Sequence, residues 1–186
     1  MRTVDDNAIG ALFLTEAIAT FRSYKDLADR AIVQVKDADL QRALDANTNS
    51  IAVIMKHMAG NMLSRWTDFL TSDGEKPDRN RDGEFVAPPS TREDVMRLWN
   101  EGWAAVFSAL EPLSDSELAR KVTIRGEPHS VMQAINRQIA HYAYHCGQIV
   151  FLAKHFKGGR WKSLTVPRNR SAEFTQKVLA GEASQR

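Results

Sequence analysis

Apolar side chains recur every three to four residues along four long stretches of the chain, which is the spacing of amphipathic α-helices. The first stretch predicts a helix over residues 7–34. Its apolar positions are Ile9, Leu12, Phe13, Ala17, Phe21, Tyr24, Leu27, Ala28 and Ala31. The second stretch predicts a helix that begins between residues 40 and 48 and ends near Leu70. Its apolar positions are Ile51, Ile54, Met55, Met58, Met62, Trp66 and Phe69.

Start and stop signals define the later helices. The segment Thr91-Arg-Glu-Asp resembles a capping box and predicts a third helix that ends near Leu110. A fourth helix is predicted over residues 129–156, and Gly158-Gly159 ends it. The polar, basic tail that follows contains one further short helical stretch, over residues 171–180.

Residues 71–90 form the clearest break in the pattern. They contain two glycines, three prolines and many charges without any periodicity, which predicts a long loop. A loop of this length in a compact domain is usually functional or mobile, and it could form part of a pocket mouth. Between the third and fourth helices, residues 114–119 predict one helical turn, and residues 122–127 predict a short extended pair around Gly126.

Four long helices without a strong strand signal predict an all-α fold, a four-helix bundle. The connection lengths allow up-down-down-up order with one long crossover loop. The length of 186 residues suits a single domain over residues 1–186. Within it we expect the bundle over about 7–157 and a polar C-terminal extension over 158–186.

Composition restricts the function classes. The 25 Lys and Arg residues nearly balance the 23 Asp and Glu residues, so the net charge of +2 gives no support for nucleic acid as a partner. No apolar run approaches the roughly 18 residues of a membrane span. The single cysteine, Cys146, excludes an internal disulfide, and the first residues do not resemble a signal peptide. We therefore expect a cytoplasmic protein.

Three histidines are the candidate chemistry. His141 and His145 lie four residues apart in HYAYH, so both project from one helix face and can reach one metal ion. His57, on a neighbouring predicted helix, would complete a set of three imidazoles and leave coordination positions open, as in catalytic metal sites. Neutral imidazoles suit a divalent ion such as zinc, nickel or iron. The alternative is that each histidine is a hydrogen-bonded core residue.

Several other polar residues could either support the site or be ordinary structural and surface groups. Asn61, Gln138 and Asp68 are candidates to hold the ring nitrogens that do not face the metal, or are ordinary pocket and surface groups. His129, His155 and Cys146 are expected to be structural or exposed residues rather than ligands. A basic cluster could bind an anionic substrate or simply be solvated. It comprises Arg79, Arg81, Arg160, Lys162, Arg168 and Arg170.

The segments KHMAGNMLSRWTDFL and INRQIAHYAYHCGQIVFLAKHF, with the long loop between them, resemble the DinB-like superfamily, which includes YfiT-like metal-dependent hydrolases and bacillithiol-transferase-type proteins. They are most similar to a bacterial branch of unknown function. The resemblance covers about residues 7–170 and implies an up-down-down-up bundle that pairs as a homodimer. It also implies a nickel, zinc or iron site held by His57, His141 and His145. Some such proteins join a low-molecular-weight thiol to an electrophile, and others are isomerases.

These observations give a ranked set of functional hypotheses. The first is a metal-dependent thiol S-transferase that acts on a small-molecule substrate, in which a bound divalent ion lowers the pKa of a small thiol. A metal-dependent hydrolase is the first alternative. A non-catalytic bundle, either with a structural metal or with a role in small-molecule binding or stress response, is the second. No glutamate stands beside the HxxxH pair, so we do not expect a metzincin-like protease.

Overall fold

The computed structural model describes residues 6–184, and most of these are helical. The helices are α1 (Asp6–Ile32), α2 (Asp37–Gln41), α3 (Ile51–Trp66), α4 (Arg92–Leu110), α5 (Val131–Lys157) and α6 (Ser171–Leu179). Two short strands, β1 (Lys121–Ile124) and β2 (Glu127–Ser130), form an antiparallel hairpin, and single 3₁₀ turns lie at Asp82–Phe85, Asp115–Glu117 and Gly158–Arg160. The predicted helical class is confirmed.

The second predicted helix is wrong at both ends, since α3 begins at Ile51 and ends at Trp66. At its start, local hydrogen bonds compete with the helix. The Thr48 hydroxyl accepts the backbone N–H groups of Leu44 and Asp45, both at 3.0 Å, which stabilises a turn before α3. The Ser50 hydroxyl then accepts the backbone N–H of Val53 and caps the true start of α3. The short helix α2 lies upstream of this turn and was not predicted.

The extended pair predicted around Gly126 is confirmed as the β1–β2 hairpin. Its two turn residues, Arg125 and Gly126, have φ values of 55° and 77°, the positive values that a tight hairpin turn needs. The Asp73 carboxylate accepts the backbone N–H groups of both residues at 2.8 Å, which ties the hairpin to the 71–90 loop. Because β2 extends to Ser130, helix α5 begins two residues later than predicted, with the Ser130 side chain as its cap.

The core is aromatic and lies between the four long helices. Helix α1 packs against α5 and α4, and α3 packs against α4 and α5. The central side chains are fully or almost fully buried and contact one another mainly edge to face. They are Phe21, Trp66, Trp99, Trp103 and Tyr142.

Two features of this packing matter for the site. Gly102 on α4 lets α3 approach closely, since a Cβ there would lie 2.9 Å from the Cα of Ala59. The contact between α3 and α5 places His57 opposite the histidines of α5. Among the described helices, none has the length and apolar character that a bilayer crossing requires.

Candidate metal centre

The three histidines predicted from the sequence lie together in the structure. One ring nitrogen of each residue, His57, His141 and His145, lies within 4.8 Å of the others. Their ring centroids are 4.8–5.5 Å apart, and each pair meets edge to face. His57 and His145 are only 4% and 7% exposed, and His141 is half-buried. The group could therefore hold a metal ion.

Helix geometry explains this convergence. His141 and His145 are one turn apart on α5, so their imidazoles project from the same face. His57 lies in the middle of α3 and faces them across the contact between the two helices. Two rigid helices thus position all three side chains, which is the support that a preorganised site requires.

Each imidazole uses its Nδ1 atom for a hydrogen bond within the protein. His57 donates to the Glu84 carboxylate at 2.8 Å. His141 Nδ1 lies 3.2 Å from Oε1 of Gln138, and His145 Nδ1 lies 2.8 Å from Oε1 of Gln148. With Nδ1 as the donor, Nε2 keeps its lone pair and is the nitrogen that can bind a metal.

The Nε2 atom of His145 is buried and has no hydrogen-bond partner among the described residues. A buried polar atom without a partner costs about 1–3 kcal/mol. A metal ion bound by Nε2 would remove that cost, so the donor set fits a divalent ion that accepts three imidazoles.

The electrostatics keep the α5 histidines neutral at physiological pH. Burial, together with the nearby His145 and His57, lowers the pKa of His141 to about 3. Burial is also the main cause that lowers the pKa of His145 to about 4. Neutral imidazoles are the form that binds metal ions, so neither residue has to lose a proton first.

The Glu84 side chain, which the sequence did not suggest, anchors His57. Burial alone would raise its pKa, but hydrogen bonds from His57 and Arg79 outweigh burial and hold it below its usual range. Arg79 donates Nε to one carboxylate oxygen at 2.7 Å and Nη2 to the other at 2.9 Å. The resulting chain of arginine, carboxylate and imidazole resembles the supports that orient metal-binding histidines.

The space for this carboxylate comes from a glycine on α3. A Cβ on Gly60 would lie 2.4 Å from Oε1 of Glu84, far inside normal contact. Gly60 lies one turn after His57, so the helix leaves a gap where the 3₁₀ turn Asp82–Phe85 brings its glutamate against the imidazole.

Of the three residues predicted to support the histidines, one contacts a histidine, one lines the pocket and one lies elsewhere. Gln138 hydrogen-bonds His141, as suggested. Asn61 is buried in the pocket wall, but its Oδ1 accepts from the Tyr142 hydroxyl at 3.1 Å rather than from a histidine. Asp68 does not line the pocket, because α3 ends at Trp66 and residue 68 lies about three turns beyond His57, exposed on another surface.

The other candidate ligands lie outside the centre. Cys146 is buried, and this burial raises the pKa of its thiol to about 12, so it behaves as a small core residue. His129 lies in β2 rather than at the start of α5, and His155 is exposed near the end of α5.

A pocket of about 530 Å³ opens beside the three histidines. Its wall includes Arg79, Arg81 and Phe85 from the 71–90 loop, so this loop does contribute to the pocket. The basic cluster predicted from the sequence is split. Its loop members line the pocket, whereas its members in the tail beyond residue 157 do not.

Residues 8–170 match a family described as "Protein of unknown function (DUF1572)". The match spans most of the 186 residues. The chain belongs to this family. No curated protein matches the chain.

The boundaries of the family match agree with the structure of the site. All three histidines, Glu84 and the whole of α5 fall within residues 8–170. Helix α6 (Ser171–Leu179) begins directly after the match ends and contributes no residue to the pocket. The family description gives no reaction, so a functional assignment depends on the chemistry of the site.

Proposed function

We propose that the chain is a metal-dependent enzyme of the DinB-like superfamily, with a four-helix bundle formed by α1, α3, α4 and α5. The helix contacts support this arrangement, since each long helix has two long neighbours and the four form a closed ring. The resemblance of the α3 and α5 sequences to DinB-like proteins supports the same assignment.

The observation that carries the proposal is the buried, unpartnered Nε2 of His145. It lies in a group whose three Nδ1 atoms all face protein acceptors, which leaves the remaining nitrogens for a common ligand. His57, His141 and His145 would hold one divalent ion and leave coordination positions open towards the pocket.

The proposed reaction is transfer of a small thiol to an electrophile. The chemistry supplied by a bound divalent ion is Lewis acidity, which lowers the pKa of a thiol that reaches it. In the transfer, the thiol sulfur forms a bond to an electrophilic carbon, the bond from that carbon to its leaving group breaks, and the thiol proton passes to solvent.

The pocket wall favours a thiol over water as the nucleophile. Among the described residues that line it there is no carboxylate to act as a general base, and Glu84 behind the wall already binds Arg79 and His57. An unperturbed thiol, with a pKa near 8.5, needs far less help from a base than water does. Hydrolysis is therefore the weaker candidate.

The first experiment is elemental analysis of the untagged protein. Wild type, His57→Ala and His141→Ala are compared with His155→Ala, which removes an exposed histidine of α5 outside the pocket. We expect about one equivalent of metal in wild type and in His155→Ala, and much less in the other two with their helical circular dichroism retained. Wild-type protein that stays metal-free after dialysis against zinc, nickel and iron would overturn the proposal.

A second experiment separates a catalytic from a structural ion. The loaded and the chelator-treated protein are each assayed for conjugation of small thiols to a chromogenic electrophile, and their unfolding is measured. A catalytic ion predicts that chelation abolishes conjugation while cooperative unfolding persists, because the large aromatic core does not depend on the metal. Loss of folding on chelation would instead support the non-catalytic alternative.

A further inference from the structure

Arginines dominate the wall of the pocket beside the histidines. Five of them line it, and among the described lining residues there is no aspartate or glutamate. They come from α3, the 71–90 loop, the hairpin turn and α5, so four separate parts of the fold contribute. They are Arg65, Arg79, Arg81, Arg125 and Arg137.

The carboxylates behind the wall only partly balance this charge. Glu75 accepts hydrogen bonds from Arg65 at 2.8 Å, from Arg79 at 3.1 Å and from Arg125 at 3.3 Å. Glu84 accepts two further hydrogen bonds from Arg79 and is also bound to a histidine. Three guanidinium groups thus share these two carboxylates, and Asp73, which accepts the backbone N–H of Arg125, is a further acid beside them.

The positive charges of the other two arginines are less well balanced. Arg81 has its nearest carboxylate, Asp82, at 3.8 Å, and the Asp82 side chain is fully exposed, so the pair gains little. The Arg137 side chain makes no hydrogen bond or ion pair with any residue in the described part of the chain. The wall therefore carries an excess of positive charge before any metal ion binds.

Arg137 is well placed to act together with the histidines. It lies four residues before His141 on α5, so the two side chains share a face and are about one helical turn, roughly 6 Å, apart along the axis. Ala140, between them on the same side, adds little bulk to the pocket wall. A small molecule bound to Arg137 at one end would therefore be long enough to reach the three imidazoles with its other end.

We infer that this pocket binds a small molecule that carries an oxyanion, a carboxylate or a phosphate, with Arg137 as its principal partner. Guanidinium groups match both anions through paired N–H donors. The oxyanion would fix one end of the substrate and place its other end at the histidines. Only this last point depends on the proposed function, because the arginines can bind an anion whether or not a metal is present.

The test is isothermal titration of inorganic phosphate and of succinate into the full-length protein. Chelator-treated protein, dialysed free of the chelator, is used first so that the anion cannot bind a metal ion directly. Wild type is compared with Arg137→Gln and with Lys154→Gln, which makes the same charge change at an exposed position of α5 outside the pocket.

We expect saturable binding of at least one anion, weakened about tenfold in Arg137→Gln and unchanged in Lys154→Gln. The anion that binds more tightly identifies the phosphate or the carboxylate as the source. Failure of both anions to saturate wild type, or equal binding by Arg137→Gln and wild type, would overturn the inference. Since the Arg137 side chain is exposed and forms no hydrogen bond or ion pair with the described residues, circular dichroism should show that the variant is folded.

The same samples keep this inference separate from the metal proposal. Metal content is measured on every preparation, and the titrations are repeated with metal-loaded protein. Anion binding that depends on Arg137 in a protein that never takes up metal would support the anion site and refute the metal centre. A protein that takes up metal but binds neither anion, with or without that metal, would refute the anion site alone.

Discussion

Replacing Gly60 by alanine should weaken metal binding without removing a ligand or a charge. The added Cβ would lie 2.4 Å from Oε1 and 2.8 Å from Cδ of Glu84. Arg79 donates two hydrogen bonds to this carboxylate and His57 donates a third, so the Glu84 side chain cannot adopt another rotamer without losing them. The carboxylate must therefore shift as a whole.

The size of the effect follows from these distances. Restoring an ordinary carbon–oxygen contact requires a shift of roughly 1 Å, which would stretch the 2.8 Å bond to His57 beyond the limit of a hydrogen bond. Loss of the group that orients a metal-binding histidine typically lowers metal affinity about 10- to 100-fold. That range corresponds to about 1.4–2.7 kcal/mol of binding free energy.

The assay is a competition titration of zinc against a chromophoric chelator, with urea unfolding of the metal-free protein alongside. Gly147→Ala is the matched control, because Gly147 is also helical but a Cβ there would meet nothing within 4 Å. We expect it to keep wild-type affinity and to gain about 1 kcal/mol of stability from helix propensity. If Gly60→Ala also kept wild-type affinity, Glu84 would not orient His57 and the reasoning would be refuted.

Three further predictions concern charge, pH and packing. Glu84→Gln should lower zinc affinity about tenfold or more in the same competition titration, and an unchanged affinity would show that the carboxylate charge is irrelevant. The pKa values of His141 and His145, about 3 and about 4, lie below the value of an unfolded histidine. The metal-free protein should therefore lose stability as the pH falls from about 6.5 towards 4. In urea titrations we expect a loss of about 1 kcal/mol per histidine near pH 5. A double glutamine variant at these positions should flatten that dependence, and an equally steep variant would contradict it. Gly102→Ala should lower the unfolding free energy by about 1–3 kcal/mol, because the added Cβ would lie 2.9 Å from the backbone of Ala59. A gain in stability would contradict the close approach of α3 and α4.

Local patterns were sufficient for most of the fold. The helical periodicity located α1, α4 and α5 because each buries a continuous apolar stripe. It failed around residues 42–50, where apolar residues continue at helical spacing. There the Thr48 hydroxyl stabilises a turn and the Ser50 hydroxyl caps a new helix start. Periodicity records which residues are buried, and it does not record such local competition.

In the site too, features set by local spacing could be predicted from the sequence, and features set by the packing of distant segments could not. The spacing of His141 and His145 is local, so the sequence predicted that both face one point, and the contact between α3 and α5 adds His57. Asp68 lies outside the site because it is about three turns beyond His57 and past the end of α3 at Trp66. A side chain on the correct face still lies far from the site when it is three turns away.

The support from Glu84 could not be predicted because it depends on where a 20-residue loop returns to the bundle. One local signal did exist: Gly60, in the interior of an otherwise strongly apolar helix, lies one turn after a candidate ligand. A glycine there weakens the helix by about 1 kcal/mol relative to alanine, so it indicates that another group approaches the backbone closely. The glycine indicates where a side chain must pack against His57, and only the folded loop determines that this side chain is a glutamate held by Arg79. For this reason Gly60→Ala tests the support of the metal centre while all three ligands stay in place, because its expected effect on metal binding comes from a displaced carboxylate.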